Sequence, residues 1–249
     1  MEHRETRKIC PDGRSAVLFV HGICGTPNHF RKAIDLESLV PENRSVVNLR
    51  LPGHGGTVKD FARSSGAAWE GHVRDAFRTL ALEHDRIYLV GHSMGTLFCL
   101  QLAAEYPEKV AGLFLLNVPM RPFVRPCAIA ACLRLCFGKL REGKPREMAL
   151  KAACGITLTR KLWEYIPWVP RFLDLFVLIR RTRKILPSVV VPAQAWQSGR
   201  DELVHTSASK PLMGYDTLRV YEMPDSSHFY YTQEDTERLC AAFRELIRE

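Results

Sequence analysis

An α/β architecture, with a mostly parallel sheet covered by helices on both faces, is predicted by three features of the sequence. Short apolar runs that lack polar alternation read as strands buried on both sides. Longer stretches with helical character separate them, and glycine- and proline-rich turns mark the joins. The 249 residues, 46% of them hydrophobic, suffice for one such domain with a small insertion.

The elements follow in order. Ala16 to His21 (AVLFVH) is the first expected strand, ended by Gly22. Thr26-Pro27 reads as a helix start, with a capping hydroxyl before a proline at the first helical position. Ser45 to Leu49 is the second strand, closed by the turn-rich LPGHGG. A helix is expected over Ala67 to Glu83, a third strand over Arg86 to Val90, and a helix over Met94 to Tyr106. Val110 to Val118, Val189 to Gln197 and Thr217 to Glu222 complete a sheet of about six strands. Thr232 opens the last helix, with Asp235 three residues on as an approximate capping box.

The rhythm breaks over residues 119–187. Prolines 126, 145 and 170 can each start a helix, and no strand is expected there. The chain thus divides into an α/β core, 1–118 and 188–249, and a helical cap insertion, 119–187. Such an insertion would sit over the C-terminal edge of the sheet, where α/β folds bind ligands.

Composition excludes several classes. No apolar run reaches about 18 residues, so no membrane span is expected. The charged opening MEHRETRKICPDGR lacks the apolar stretch of an export signal. Eight cysteines are present without C-x-x-C spacing, which argues for reduced cytoplasmic thiols rather than zinc or dithiol chemistry. The net charge of +8 is uneven: residues 120–187 hold fifteen Lys and Arg against four acidic residues, a balance of +11, so the remainder carries −3. No nucleic-acid motif accompanies these cations, and no nucleic-acid partner is expected.

One pentapeptide carries chemistry. Gly91-His92-Ser93-Met94-Gly95 is G-x-S-x-G, placed between an apolar strand and an apolar helix. A sharp strand-to-helix turn crowds the positions two before and two after the serine, and glycine relieves both. Ser93 is therefore a candidate nucleophile. The base should follow it in the chain, and only His205 and His228 do. His228, in the loop after the last strand, is favoured; His205 reads as the start of a surface helix. Asp201, directly after the fifth strand, is the candidate acid that would hold the imidazole. Asp225 is its rival, on the same loop as the histidine, and Glu202 reads as solvated. The oxyanion requires two backbone N–H donors, for which Met94 and Ile23 are the candidates. Cys24 reads as packing.

In this order VLFVHGICGTP, LRLPGHGGT, LVGHSMG, SGRDELV and SSHF resemble α/β-hydrolases of the carboxylesterase and monoacylglycerol lipase kind. The resemblance covers nearly the whole chain outside the insertion. It implies the α/β-hydrolase fold, with Ser93, Asp201 and His228 as triad and Ile23 and Met94 as oxyanion donors. His54, in LPGHG, would shape a loop at the rim. It further implies acyl transfer from an ester to water through an acyl-enzyme, with no metal or cofactor. The expected substrates are esters of short to medium acyl chain, monoacylglycerols among them. Thioesters, amides and carbon–carbon bonds are alternatives for the same triad. About 15 residues precede the first expected strand, so the sheet would be shorter than in larger members.

The insertion also holds Trp163, Trp168, Phe172, Leu175, Phe176 and Ile179. These would line an acyl pocket and pack on the core. Two sharper expectations rest on its positive charge. One is a transient contact with an anionic membrane surface. The other is attraction of an anionic substrate such as a phosphate-bearing acyl thioester.

Overall fold

The computed structural model describes residues 3–11, 13 and 15–248. Seven strands form one sheet: β1 (Thr6–Lys8), β2 (Ser15–Val20), β3 (Ser45–Leu49), β4 (Arg86–His92), β5 (Val110–Leu116), β6 (Ala193–Ser198) and β7 (Leu218–Met223). Their spatial order is β1-β3-β2-β4-β5-β6-β7. All neighbours are parallel except β1, which runs antiparallel to β3.

The central strands are apolar throughout because both faces of the sheet are covered. Along β2 the side chains alternate between two cores. Ala16, Leu18 and Val20 join one cluster, with Trp69, Phe77 and Leu97. Val17 and Phe19 join the other, with Phe30, Phe114 and Phe243. The first face is covered by α2 (Gly66–Glu83) and α3 (Met94–Glu105), the second by α7 (Gln233–Leu246).

Three expectations need correction. The sheet has seven strands, not about six: the polar tripeptide TRK adds β1 at one edge, pairing Thr6 with Asn48 and Lys8 with Val46. An edge strand needs no apolar face, so no periodicity announces it. Thr26-Pro27 opens no α-helix; a five-residue π-type turn follows at His29–Ala33, and Thr26 is buried. A helix absent from the sequence reading, α1 (Val58–Arg63), follows the LPGHGG turn. Its Thr57 and Asp60 form a reciprocal capping box, a device that stabilises a helix start by about 1 kcal/mol.

Between β5 and β6 the three proline-started helices form: α4 (Pro126–Cys136), α5 (Pro145–Ala153) and α6 (Val169–Ile185). A 3₁₀ turn, Leu162–Trp168, leads into α6. Trp168 ties this segment to the rest of the molecule: its indole N–H donates to the Val58 carbonyl at 2.9 Å. The Gly66 N–H, at the start of α2, donates to Asp174 of α6 at 2.9 Å. Among the described residues, no helix is long and apolar enough to cross a membrane.

Candidate active site

Ser93 occupies the turn between β4 and α3, at φ 51° and ψ −122°. Such a backbone is rare for a residue with a side chain, costs about 1–3 kcal/mol, and persists only where the surroundings impose it. The surroundings do so. The Ser93 N–H donates to the Leu116 carbonyl at 2.8 Å, and the Ser93 carbonyl accepts from Thr96 N–H at 3.0 Å and Thr96 Oγ1 at 2.6 Å. Both flanking glycines are sterically required. A Cβ on Gly91 would lie 2.6 Å from Thr96 Cα, and one on Gly95 would lie 1.9 Å from the Val20 carbonyl oxygen. The turn is thus a close approach of α3 to β2 with a serine at its apex.

His228 and Asp201 come together from the loops after β7 and β6. His228 Nδ1 donates to Asp201 Oδ2 at 2.7 Å, and both side chains are 2% exposed. Asp201 is fixed in turn by the N–H groups of Leu203 and Val204, which donate to Oδ1 at 2.7 and 2.8 Å. With Nδ1 protonated, the lone pair of His228 lies on Nε2, the tautomer a general base requires. The rival, Asp225, lies apart from the imidazole pair: it pairs with Arg200, and its side chain is 62% exposed. Glu202 does more than face solvent, because its carboxylate accepts from the His228 backbone N–H at 3.3 Å.

The loop carrying His228 is held against the serine turn. His92 Nε2 donates to the His228 carbonyl at 3.0 Å, and Asn117 Nδ2 donates to the same oxygen at 3.2 Å. His92 precedes Ser93 directly, so this bond joins the two loops one residue from the serine. Among the described residues, no hydrogen bond joins Ser93 Oγ to His228. Sequence reasoning missed Asn117. Its φ of 53° suits asparagine, and its Oδ1 also accepts from the Ser198 N–H at 2.9 Å.

Charge separates His228 from its neighbours. His21, His29, His54 and His92 are buried, and burial is the main force pushing each below the ordinary histidine range. His29 falls to about 3 and His54 to about 4. Burial also depresses His228, but the Asp201 charge, the Asp201 hydrogen bond and the Glu202 charge together raise it above 6.5. His228 alone among these five has a carboxylate on its ring.

Met94 is the first residue of α3, where an N–H has no partner within the helix. Ile23 lies in the loop after β2, and that loop is braced from two sides. His54 Nε2 accepts from the Cys24 N–H at 3.1 Å, while its Nδ1 donates to the Pro52 carbonyl at 3.1 Å. Gly155 N–H donates to the Cys24 carbonyl at 2.9 Å. A Cβ on Gly155 would lie 1.8 Å from Thr26 Cγ2, so only glycine permits this approach. Burial lifts the Cys24 thiol well above 9, which leaves it protonated and fits a packing role. His205 caps a 3₁₀ turn, Thr206–Leu212, by accepting from the Ser207 N–H at 3.1 Å.

An apolar cavity of about 470 Å³ adjoins the Ile23 loop and is walled by Cys24, Leu133, Leu158, Trp168 and Phe172. Of the insertion's apolar residues, Trp168 and Phe172 line this cavity and Ile179 packs in the core, whereas Trp163 and Phe176 are exposed.

Residues 17–242 match the model of the alpha/beta hydrolase family. The fold and the serine turn define a hydrolase of this class. The chain belongs to the alpha/beta hydrolase family. It is 32% identical over 203 residues to a thermostable monoacylglycerol lipase from Bacillus sp. (strain H-257), covering 78% of this chain and 73% of that protein. It is 26% identical to Protein ABHD8 of Homo sapiens over 94% of its own length, and spans 50% of that relative. Among solved structures, one from a study of LipS and LipT, two metagenome-derived lipolytic enzymes, superposes with a TM-score of 0.72 at 22% identity, over 98% of each chain. The Paleococcus ferrophilus monoacylglycerol lipase gives 0.69 at 16% identity, over 100% of this chain and 99% of that one. A thioesterase domain from the curacin biosynthetic pathway gives 0.64 at 17% identity, over 98% and 94%.

Proposed function

We propose that the chain is a serine hydrolase that cleaves carboxylic esters of short to medium acyl chain, monoacylglycerols included. The observation that carries this reading is the buried Asp201–His228 pair, bound through the His228 carbonyl to the residue next to Ser93. The likeness to a monoacylglycerol lipase and the apolar cavity beside Ile23 support the substrate class.

In this mechanism Ser93 Oγ attacks the ester carbonyl carbon as His228 Nε2 takes its proton. Asp201 stabilises the imidazolium. The carbonyl electrons move onto oxygen, which accepts from the Ile23 and Met94 N–H groups. The tetrahedral adduct collapses, the C–O bond breaks, and His228 returns its proton to the leaving alkoxide. Water then adds to the acyl-enzyme with His228 as base, releasing the acid and restoring Ser93. Residues 119–187 act as a cap that walls the acyl cavity with Trp168 and Phe172. The free state of the cysteines supports a reducing, cytoplasmic setting.

The cap carries a second proposed role, transient contact with an anionic membrane surface. Its outer side exposes Trp163, Ile166, Val169, Leu173 and Phe176. The same segment holds the chain's excess of cations.

Hydrolysis of p-nitrophenyl acetate, butyrate, octanoate and palmitate, with Ser93→Ala in parallel, tests the enzymatic reading. Turnover by the wild type that vanishes in the variant is expected, with an optimum at short to medium chain. Turnover that survives Ser93→Ala contradicts it.

A further inference from the structure

A second cavity, of about 420 Å³, adjoins the apolar one. The two share Cys132, Leu150, Leu203 and Phe229 as a common wall. Their chemistry differs sharply. The second cavity is lined by Arg125, Arg134, Arg141, Lys144, Arg146 and Arg200, against two carboxylates, Glu147 and Glu202. Glu147 is buried and receives Arg134 at 2.8 Å and Arg141 at 2.7 Å, which fixes those two guanidinium groups in the wall. Arg200 is paired with Asp225. Arg125, Lys144 and Arg146 have no carboxylate partner among the described residues. The lining therefore keeps a surplus of positive charge.

The position of this cavity assigns it to one half of a substrate. Glu202, next to Asp201 in the chain, and Tyr230, two residues after His228, line this cavity and not the apolar one; Leu203 and Phe229 belong to the shared wall. The leaving group must lie on the His228 side, because His228 delivers its proton. The acyl chain then takes the apolar cavity beside Ile23, and the leaving group takes the cationic one. The three unmatched cations can pair with a phosphate, an interaction that a neutral alcohol does not offer.

Resting on the serine hydrolase reading above, we infer that the substrate is an acyl ester or thioester whose leaving group carries a phosphate, seated among Arg125, Lys144 and Arg146. This is a built subsite, more specific than long-range attraction by a basic segment.

The test begins with binding, which needs no turnover. Dissociation constants are measured for 1-O-dodecylglycerol 3-phosphate and 1-O-dodecylglycerol, non-hydrolysable ethers, below their micelle concentrations. The phosphate should tighten binding at least tenfold, and Arg125→Gln with Arg146→Gln should reduce that preference to about twofold. Lys8→Gln with Arg219→Gln, on the two edge strands, removes the same charge elsewhere and should keep it. Equal affinities, or a preference untouched by the cavity variant, or lost equally in the edge variant, would overturn the inference. Turnover arms then identify the source: 1-lauroylglycerol 3-phosphate against 1-lauroylglycerol, and lauroyl-pantetheine 4′-phosphate against lauroyl-pantetheine. A phosphate preference in kcat/KM for the oxygen ester or for the thioester supports the subsite and names its bond. Hydrolysis of all four without preference overturns the inference and leaves the hydrolase reading intact. Selective phosphate binding without any hydrolysis supports the subsite and overturns the hydrolase reading.

Discussion

His228 Nδ1 and Asp201 Oδ2 stand 2.7 Å apart in a site where each side chain is 2% exposed. The two arrive from separate loops, 27 residues apart in sequence, and meet in a water-poor environment that strengthens their interaction. Asp201→Asn should therefore cut kcat by about 10³–10⁴-fold, because the amide would favour the wrong imidazole tautomer. Asp225→Asn, on an exposed side chain, should stay within about twofold of wild type. Steady-state kinetics on one soluble ester separates the two; the opposite ranking would transfer the acid role to Asp225.

The pH dependence has a defined sign. His228 must be neutral to act as base, and its carboxylate neighbours raise it above 6.5. Activity should climb with pH through that raised value and then level off. Glu202→Gln removes one of the raising charges, so the midpoint of kcat/KM should move to lower pH. An unmoved midpoint would exclude Glu202 from the electrostatics of the base. Stability runs the other way. The His228–Asp201 pair stabilises the fold fully below about pH 6.5, and this contribution is lost as pH rises through the raised folded value.

The serine turn stores strain at a residue with φ of 51°. Ser93→Gly should relieve on the order of 1–3 kcal/mol of it, offset by about 0.5–1 kcal/mol for the freer unfolded chain. A rise in Tm with complete loss of activity is the expected result; a fall in Tm would mean that the turn is unstrained. Gly95→Ala places a methyl group against the Val20 carbonyl oxygen and should destabilise by more than about 3 kcal/mol.

Cap exposure predicts sedimentation behaviour. At low salt the protein should pellet with anionic vesicles more than with neutral ones, and Trp163→Ser with Ile166→Ser should weaken this by several-fold. Equal recovery with both vesicle types would reject the membrane contact.

Much of this architecture was legible in the chain. Strand β3 spans the Ser45–Leu49 expected for it, and Pro126, Pro145 and Pro170 each stand in the first turn of a helix. The nucleophile turn was legible because its two glycines answer to a steric need that any strand-to-helix elbow imposes. Strand β6 begins at Ala193, four residues after the start of the apolar run that announces it. Val189 and Val191 are buried, yet they precede the strand in a stretch with Pro187 and Pro192, neither of which can donate to a ladder. Strand β1 was invisible because a polar edge strand is defined by its partner. The supporting roles of Asn117 and Gly155 were hidden for the same reason. Each acts on backbone groups from another part of the chain, and no local spacing encodes that.

The proposed mechanism stands on Ser93 as a nucleophile served by His228. Reaction with a fluorophosphonate, followed by intact mass and peptide mapping, tests it most directly. One adduct per chain is expected, on Ser93, with labelling slowed at least a hundredfold by His228→Ala. An adduct on another residue, or labelling at Ser93 indifferent to His228, would contradict it.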